Sequence, residues 1–363
     1  MELLIQPGAG SNRLLSGINS ATKSIELVIF RFDRRELESA LETAVGRGVF
    51  VHALIAYTNR GGEKNLRKLE MRLLGAGVTV ARSADDLDRY HDKFMIIDRR
   101  RLFLQTFNHT HLDINSSRSF GIITEESSLV DEAVRLFEAD TTRQPYTAQL
   151  DTFLVSPVNA REKLADFIER AQQQLWIYDP KISDDQMKTL LEERAKAGVD
   201  IRIVGHIGKN SVNLMGHQLP NMRLHTRAMI RDRREAFIGS QSLREAELDS
   251  RREVGIIIHE PDIVNSLLTT FESDWKAIEA EIHQSAVNAE AKLPVAKAVE
   301  EALKTIAKDP PSLDSVVKEA MKETEGGGGG GAITVDSKRV EKKVKEAVKG
   351  AIKEVVVDVI EEP

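Results

Sequence analysis

Cysteine is absent from all 363 residues. Disulfide scaffolds, thiolate metal sites and cysteine nucleophiles are therefore excluded, and any chemistry must fall to other side chains. A basic excess is missing as well, since 51 Lys and Arg against 57 Asp and Glu leave a formal charge of -6 and a pI near 5.9. Wholesale electrostatic binding to nucleic acid is not indicated, although a local basic pocket is compatible with that balance. Long apolar runs are also missing. No stretch approaches the roughly 18 apolar residues of a membrane-spanning helix. The first residues, MELLIQPGAGSNR, lack the basic head and apolar segment of a secretory signal. These absences predict a cytoplasmic protein, with peripheral membrane contact left open.

What is present suffices for ordinary cores: 41% hydrophobic and 30% charged residues, with mean hydropathy -0.30. At roughly 100–200 residues per domain the length suggests two or three domains. The type of basic residue divides the chain sharply, because residues 1–283 hold 28 Arg and 10 Lys, whereas 284–363 hold 1 Arg and 12 Lys.

Residues 1–283 carry an internal duplication. A shift of 150 positions aligns Leu4 with Leu154, Pro7 with Pro157, Leu14 with Leu164, Ile18 with Ile168 and Gly48 with Gly198. A shift of 134 then aligns His91 with His225, Asp98 with Asp232, Arg118 with Arg252, Gly121 with Gly255, Phe137 with Phe271 and Asp140 with Asp274. Each repeat reads strand, helix, strand, helix, strand, with Gly48 and Gly198 where a helix C-cap is expected. That order predicts parallel strands joined by helical crossovers. The expected fold is α/β: two tandem sandwich domains, 1–145 and 146–283, followed by a Lys/Glu/Ala-rich tail, 284–363. Repeat 1 carries its extra residues as EKNLRKLEMRLLGAGVTV, which reads as one more helix and strand.

Two equivalent motifs carry the candidate chemistry: HDKFMIID from His91 to Asp98, and HTRAMIRD from His225 to Asp232. Read as strands, His91 and Lys93 project to one face, as do His225 and Arg227. The charged knots after Asp98 and Asp232 look like hairpin turns, which makes these aspartates turn and scaffold residues. With a two-residue loop, His91 would face Asn108 and Lys93 would face Thr106. The same construction sets His225 opposite Ser242 and Arg227 opposite Ser240. A bulge would shift this register by one residue. The arginine clusters at 99–101 and 231–234 read as solvated turn tips, with contact to anionic headgroups or nucleic acid as the alternative. Trp176, at strand spacing, is expected in the core, and His109 and His111 lie close enough to the first motif to line a site.

At this point the chain resembles the phospholipase D superfamily, whose signature is H-x-K-x4-D followed by a G-S-x-N-like segment, usually present twice. His91, Lys93, Asp98 and Asn108 match the first copy, with Gln105 and Thr106 in place of Gly-Ser. His225, Asp232, Gly239 and Ser240 match the second, with Arg227 for Lys and Ser242 for Asn. The resemblance implies two halves about a pseudo-twofold axis and one active site at their junction. It also implies a carboxylate that orients a catalytic histidine. Glu253, 28 residues after His225, is the candidate and is expected beside His225; the equivalent position after His91 is Ser119.

Two imidazoles can divide a phosphodiester displacement between them. One neutral histidine attacks phosphorus and forms a phosphohistidine, while the other, protonated, supplies a proton to the leaving alcohol. By resemblance His91 is assigned as nucleophile and His225 as general acid/base. Lys93, Arg227, Asn108, Thr106, Ser240 and Ser242 are the candidates to hold phosphate oxygens. The chemistry needs no metal and no cofactor. The expected substrate is a phospholipid, through hydrolysis or transfer to an alcohol; a nuclease is the rival, and a catalytically weakened phosphate-binding or assembly protein the third reading. In the tail, Gly326–Gly331 reads as a flexible linker. Beyond it Val340, Val344, Val348, Ile352, Val355 and Val359 recur at helical spacing. Docking on the core, self-association and membrane-surface binding all stay open for that helix.

Overall fold

The computed structural model describes residues 1–57, 63–208 and 214–308, the last with side chains to 287. The six-glycine run and the expected tail helix lie outside the described residues. The chain divides into two compact units, Met1–Glu279 and Ala280–Pro363, and the first contains both repeats.

Repeat 1 runs β1 (Glu2–Gln6), α1 (Asn12–Ser20), β2 (Ser24–Ile29), α2 (Arg35–Gly46), β3 (Phe50–Ile55), α3 (Glu63–Gly75) and β4 (Thr79–Arg82). It continues through β5 (Arg89–Tyr90), β6 (Phe94–Ile97), β7 (Arg101–Gln105), α4 (His111–Ser116), β8 (Ser117–Thr124) and α5 (Ser127–Thr142). Repeat 2 follows with β9 (Phe153–Ser156), α6 (Ala160–Glu169), β10 (Gln174–Ile182), α7 (Asp185–Lys196), β11 (Asp200–Ile207) and β12 (Gly216–His217). Then come β13 (Arg223–Leu224), β14 (Arg227–Arg231), β15 (Glu235–Gly239), α8 (Glu245–Asp249), β16 (Arg251–Ile258) and α9 (Pro261–Lys308). Among the described residues the additional helix of repeat 1 is α3, whereas the expected extra strand, β4, has a two-residue counterpart in β12, since each lies parallel to the preceding strand. Gly48 and Gly198 take φ of +85 and +90, which lets the chain leave α2 and α7 sharply for the next strand.

The sheets are mixed rather than wholly parallel. In repeat 1 the order is β1-β8-β7-β6-β2-β3-β4, with β2, β3 and β4 parallel as expected. However, the β6–β7 hairpin and β8 are inserted between β1 and β2, and β1 lies antiparallel to β8. Repeat 2 repeats this arrangement, with β9 on β16 and β10 between β14 and β11. Both sheet faces are covered, so the strands read as near-continuous apolar runs whose alternate residues part company. Phe94 and Ile96 join a cluster shared by the two repeats, where they meet residues such as Tyr178, Ile238 and Phe271, while Met95 and Ile97 pack with Leu14, Leu41 and Leu73 of repeat 1's own helices. Trp176 is buried in the shared cluster.

Each hairpin is pinned by its aspartate. Asp98 accepts the backbone N–H groups of Thr22, Lys23 and Ser24, and Asp232 accepts those of Gln172, Gln173 and Gln174. Partial burial would raise both carboxyls, but these donors hold them below the ordinary range. The arginines of the two tips pair locally with carboxylates, for example Arg99 with Glu26 and Glu138, Arg101 with Glu125 and Arg231 with Glu235.

The repeats are cross-tied. β5 of repeat 1 adds to β16 of repeat 2, and β13 of repeat 2 adds to β8 of repeat 1. Two ion pairs follow the same exchange: the largely buried Arg118 forks onto Asp274 at 2.8 Å for both bonds, and the buried Arg252 onto Asp140 at 3.1 and 3.0 Å. Removing one member of such a pair strands the other charge at a cost of about 3–5 kcal/mol, several times the ~1 kcal/mol of an ordinary hydrogen bond. Arg118→Leu is therefore expected to lower the urea-unfolding free energy by about 3–5 kcal/mol. Adding Asp274→Leu should recover part of that loss, because no lone charge is left buried.

Candidate active site

The histidines lie where the strand exchange ends. Directly after β5, the His91 backbone N–H donates to Arg252 O (2.8 Å), and directly after β13, His225 N–H donates to Arg118 O (3.0 Å). Each imidazole is thereby set beside the first residues of the other repeat's last strand. Residue 253 consequently neighbours His91, and residue 119 neighbours His225.

This geometry corrects the expected carboxylate pairing. Glu253 does not orient the histidine of its own repeat; its oxygens lie 3.0 and 2.9 Å from His91 Nδ1. A carboxylate offers only acceptors, so Nδ1 carries the proton and Nε2 keeps its lone pair. Burial pushes Glu253 up, opposed by Lys93 and Arg227 and by a hydrogen bond from Ser240. Burial first, then Lys93, Arg227 and His225, drives His91 well below its ordinary value, so it is neutral at physiological pH.

The second half-site has different partners. Ser119 is too short to take the place of Glu253, and its buried Oγ has no hydrogen-bond partner. His225 instead places Nε2 3.0 Å from Asp113 Oδ2 and Nδ1 3.0 Å from an Arg223 guanidinium nitrogen. Burial lowers His225 to about 4 despite Asp113, with Arg227 and Arg223 acting in the same direction as burial. Asp113 is held well below the carboxylate range, because the hydrogen bonds it accepts from His225 and from the N–H groups of Asn108 outweigh its burial. Sequence reasoning passed over Asp113 and Arg223. A signal for the first existed: the 134-residue shift sets Asp113 against Glu247, an acid in both repeats.

The two cations behave alike. Lys93 Nζ donates to His91 O, and Arg227 donates to His225 O at 3.2 Å. Arg227 also donates from Nε to Ser242 Oγ (3.0 Å) and lies 3.4 Å from Glu247, so the Arg and Ser that depart from the motif contact each other. Asn108 is brought to the site from repeat 1, with Nδ2 2.7 Å from Asp113 and 3.5 Å from His225 Nε2.

Thr106 and Ser240 are placed differently from the expectation. Each hairpin loop has three residues, so Ile97 pairs with Arg101 and Arg231 with Glu235, and Lys93 and Arg227 face Gln105 and Gly239. This one-residue slip turns Thr106 and Ser240 to the opposite strand face. Their hydroxyls accept the backbone N–H groups of Phe120 and Val254. They brace the site from behind, and Ser240 does so through Glu253 as well. His109 is buried with Nε2 on Gln105 (2.9 Å), and His111 contacts Arg34.

Fold and site together define a duplicated α/β protein that brings one histidine from each repeat into a single buried, charged centre. The family described as cardiolipin synthase, PLD-like domain, matches residues 14–141 and 164–275, and the chain belongs to the phospholipase D superfamily. The chain is 32% identical over 132 residues to the mitochondrial cardiolipin hydrolase of Danio rerio, a match covering 35% of this chain and 57% of that protein. It thus spans little more than half of that relative's length. Among solved structures, it resembles the polyphosphate kinase of Porphyromonas gingivalis (TM-score 0.64, 21% identity, 76% of this chain and 50% of that one). It also resembles the phosphatidylserine synthase of Haemophilus influenzae (TM-score 0.56, 10% identity, 76% and 86%). At these identities the structural likeness speaks for the fold. Among the described residues no helix is long and apolar enough to cross a membrane.

Replacing Glu253 by Gln should release the His91 tautomer. In the native protein, nitrogen-15 NMR is expected to show the proton on Nδ1; in Glu253→Gln the two tautomers should mix. An unchanged Nδ1–H population in the variant would mean that Glu253 does not set the tautomer.

Proposed function

We propose that the protein is a phospholipid phosphodiesterase or phosphatidyltransferase working through a phosphohistidine on His91. The observation that carries this reading is the Glu253–His91 pair, which supports a buried, neutral imidazole with an available Nε2 lone pair. The glutamate expected beside His225 lies beside His91, and the tautomer it favours there supports His91 as the nucleophile. In the first step Nε2 forms the P–N bond as the P–O bond to the leaving alcohol breaks, and His225 gives that oxygen a proton. In the second, water or an acceptor alcohol attacks phosphorus, the P–N bond breaks, and His225 takes up the proton. Lys93 and Arg227 supply positive charge where the non-bridging oxygens gather it.

The lipid substrate is favoured by the relatives, since both the family description and the Danio rerio protein's name refer to cardiolipin. A nuclease reading draws support from Arg31 and Arg89, whose guanidinium groups lie 5.6 and 5.3 Å from the Phe30 ring that abuts His91. Such cations could track a polyanionic backbone.

Alkaline-quenched reactions should retain a phosphate-linked adduct on His91 in His225→Ala and none in His91→Ala; an adduct on His225 would reverse the roles. Parallel turnover of cardiolipin and phosphatidylglycerol vesicles against single-stranded DNA and RNA decides the substrate, and cleavage of nucleic acid alone would select the nuclease. A pH effect is expected too. Burial, aided by Arg227, lowers Lys93 to about 8, so its charge is present below that pH and lost above it. kcat/KM should therefore fall as pH rises through about 8, and Lys93→Arg, which stays charged, should lack that limb.

A further inference from the structure

His225 is fully engaged in the ligand-free protein. Arg223 is a donor only, so the His225 nitrogen it touches, Nδ1, must present a lone pair. The ring's single proton then sits on Nε2 and is donated to Asp113. In this arrangement His225 is neutral and has no proton to spare. Protonating Nδ1 would set an N–H against the guanidinium N–H groups. The Arg223 contact therefore adds to burial in holding neutral the group that the proposed reaction needs as an acid.

Arg223 is also the member of this triad that can leave. Its side chain is 42% exposed, against 10% for His225 and 4% for Asp113. One guanidinium nitrogen bridges Asp113 Oδ1 (2.6 Å) and Ser117 Oγ (3.3 Å), and the other reaches His225. A phosphodiester offers a guanidinium a stronger, charge-assisted partner than a neutral imidazole does. We propose that Arg223 is a substrate-responsive positioning residue: while it bonds to Nδ1 it blocks protonation there, and an arriving phosphodiester draws it off, so that Nδ1 is free to take the proton that His225 needs to act as the acid.

The charged and polar groups facing His225 come from several elements: Asp113 on α4, Arg223 on β13, Arg227 on β14, Asn108 after β7, and His91 across the site. Of these, Arg223 alone bonds to Nδ1 among the described residues. The half-sites differ here because Glu253 serves Nδ1 of His91, whereas Ser119 leaves that of His225 to Arg223.

The inference rests on the proposed acid role of His225, but its test does not need turnover. The His225 ring is titrated by NMR in the full chain, native and Arg223→Met, with and without inorganic phosphate. In Arg223→Met the ring should titrate about one unit higher, a tenfold change in proton affinity. Phosphate should raise the native ring's titration and leave the variant's almost unmoved. Arg223→Lys, which keeps a cationic donor, should remain nearer the native value. An Arg223→Met ring that titrates with the native one, or a phosphate shift equal in both proteins, overturns the proposal. If the ring responds as expected while no substrate is turned over, Arg223 control of His225 stands and the assigned activity falls.

Discussion

The exchange of short strands between the repeats is the constraint on which the site depends. β5 and β13 are two residues each, too short to contribute much stability, yet each delivers a histidine onto the other repeat's final strand. The hydrogen bonds from His91 N–H to Arg252 O and from His225 N–H to Arg118 O fix where the imidazoles begin. The same two arginines fork onto Asp140 and Asp274 of the opposite repeats. One residue thus contributes its carbonyl to position a histidine and its side chain to tie the two repeats, so loss of the tie would also disturb the chemistry.

Within that frame the site is buried and densely charged. Lys93, Arg227, Glu247, Glu253 and both histidines are buried, and an isolated ion there would cost several kcal/mol. The structure meets this cost by interleaving signs: Arg227 lies by Glu247, Glu253 contacts His91 under the influence of Lys93, and Asp113 contacts His225. Burial wins over the neighbouring acids at both imidazoles, so each rests neutral. A neutral ring suits attack on phosphorus but not proton donation, which is why the two rings need different surroundings.

Much of this was legible in the residues. The duplication, the strand–helix order and the paired motifs follow from periodicity and self-alignment, and the scaffold role of Asp98 and Asp232 follows from turn chemistry. The register was off by one because the loops hold three residues, with Asp98, Arg99, Asp232 and Arg233 at positive φ, a conformation that arginine does not advertise. That slip misplaced Thr106 and Ser240. The partner of Glu253 was not legible at all, since it depends on which sheet edge a two-residue strand joins, and so short a strand has no periodicity to read.

A duplicated site begins with two equal imidazoles, and equality is poor design for a reaction that needs one base-like and one acid-like group. The difference between Ser119 and Glu253 breaks it at a single aligned position. A glutamate reaches across the repeat boundary, accepts the hydrogen bond of Nδ1–H of His91 and leaves the lone pair on Nε2; a serine leaves Nδ1 of His225 to a guanidinium from the rim. The first partner is buried and the second half-exposed, as the proposed exchange of His225 for an anion requires. On the proposed roles, the nucleophile would be set by the fold, while readiness of the acid would depend on what enters the site.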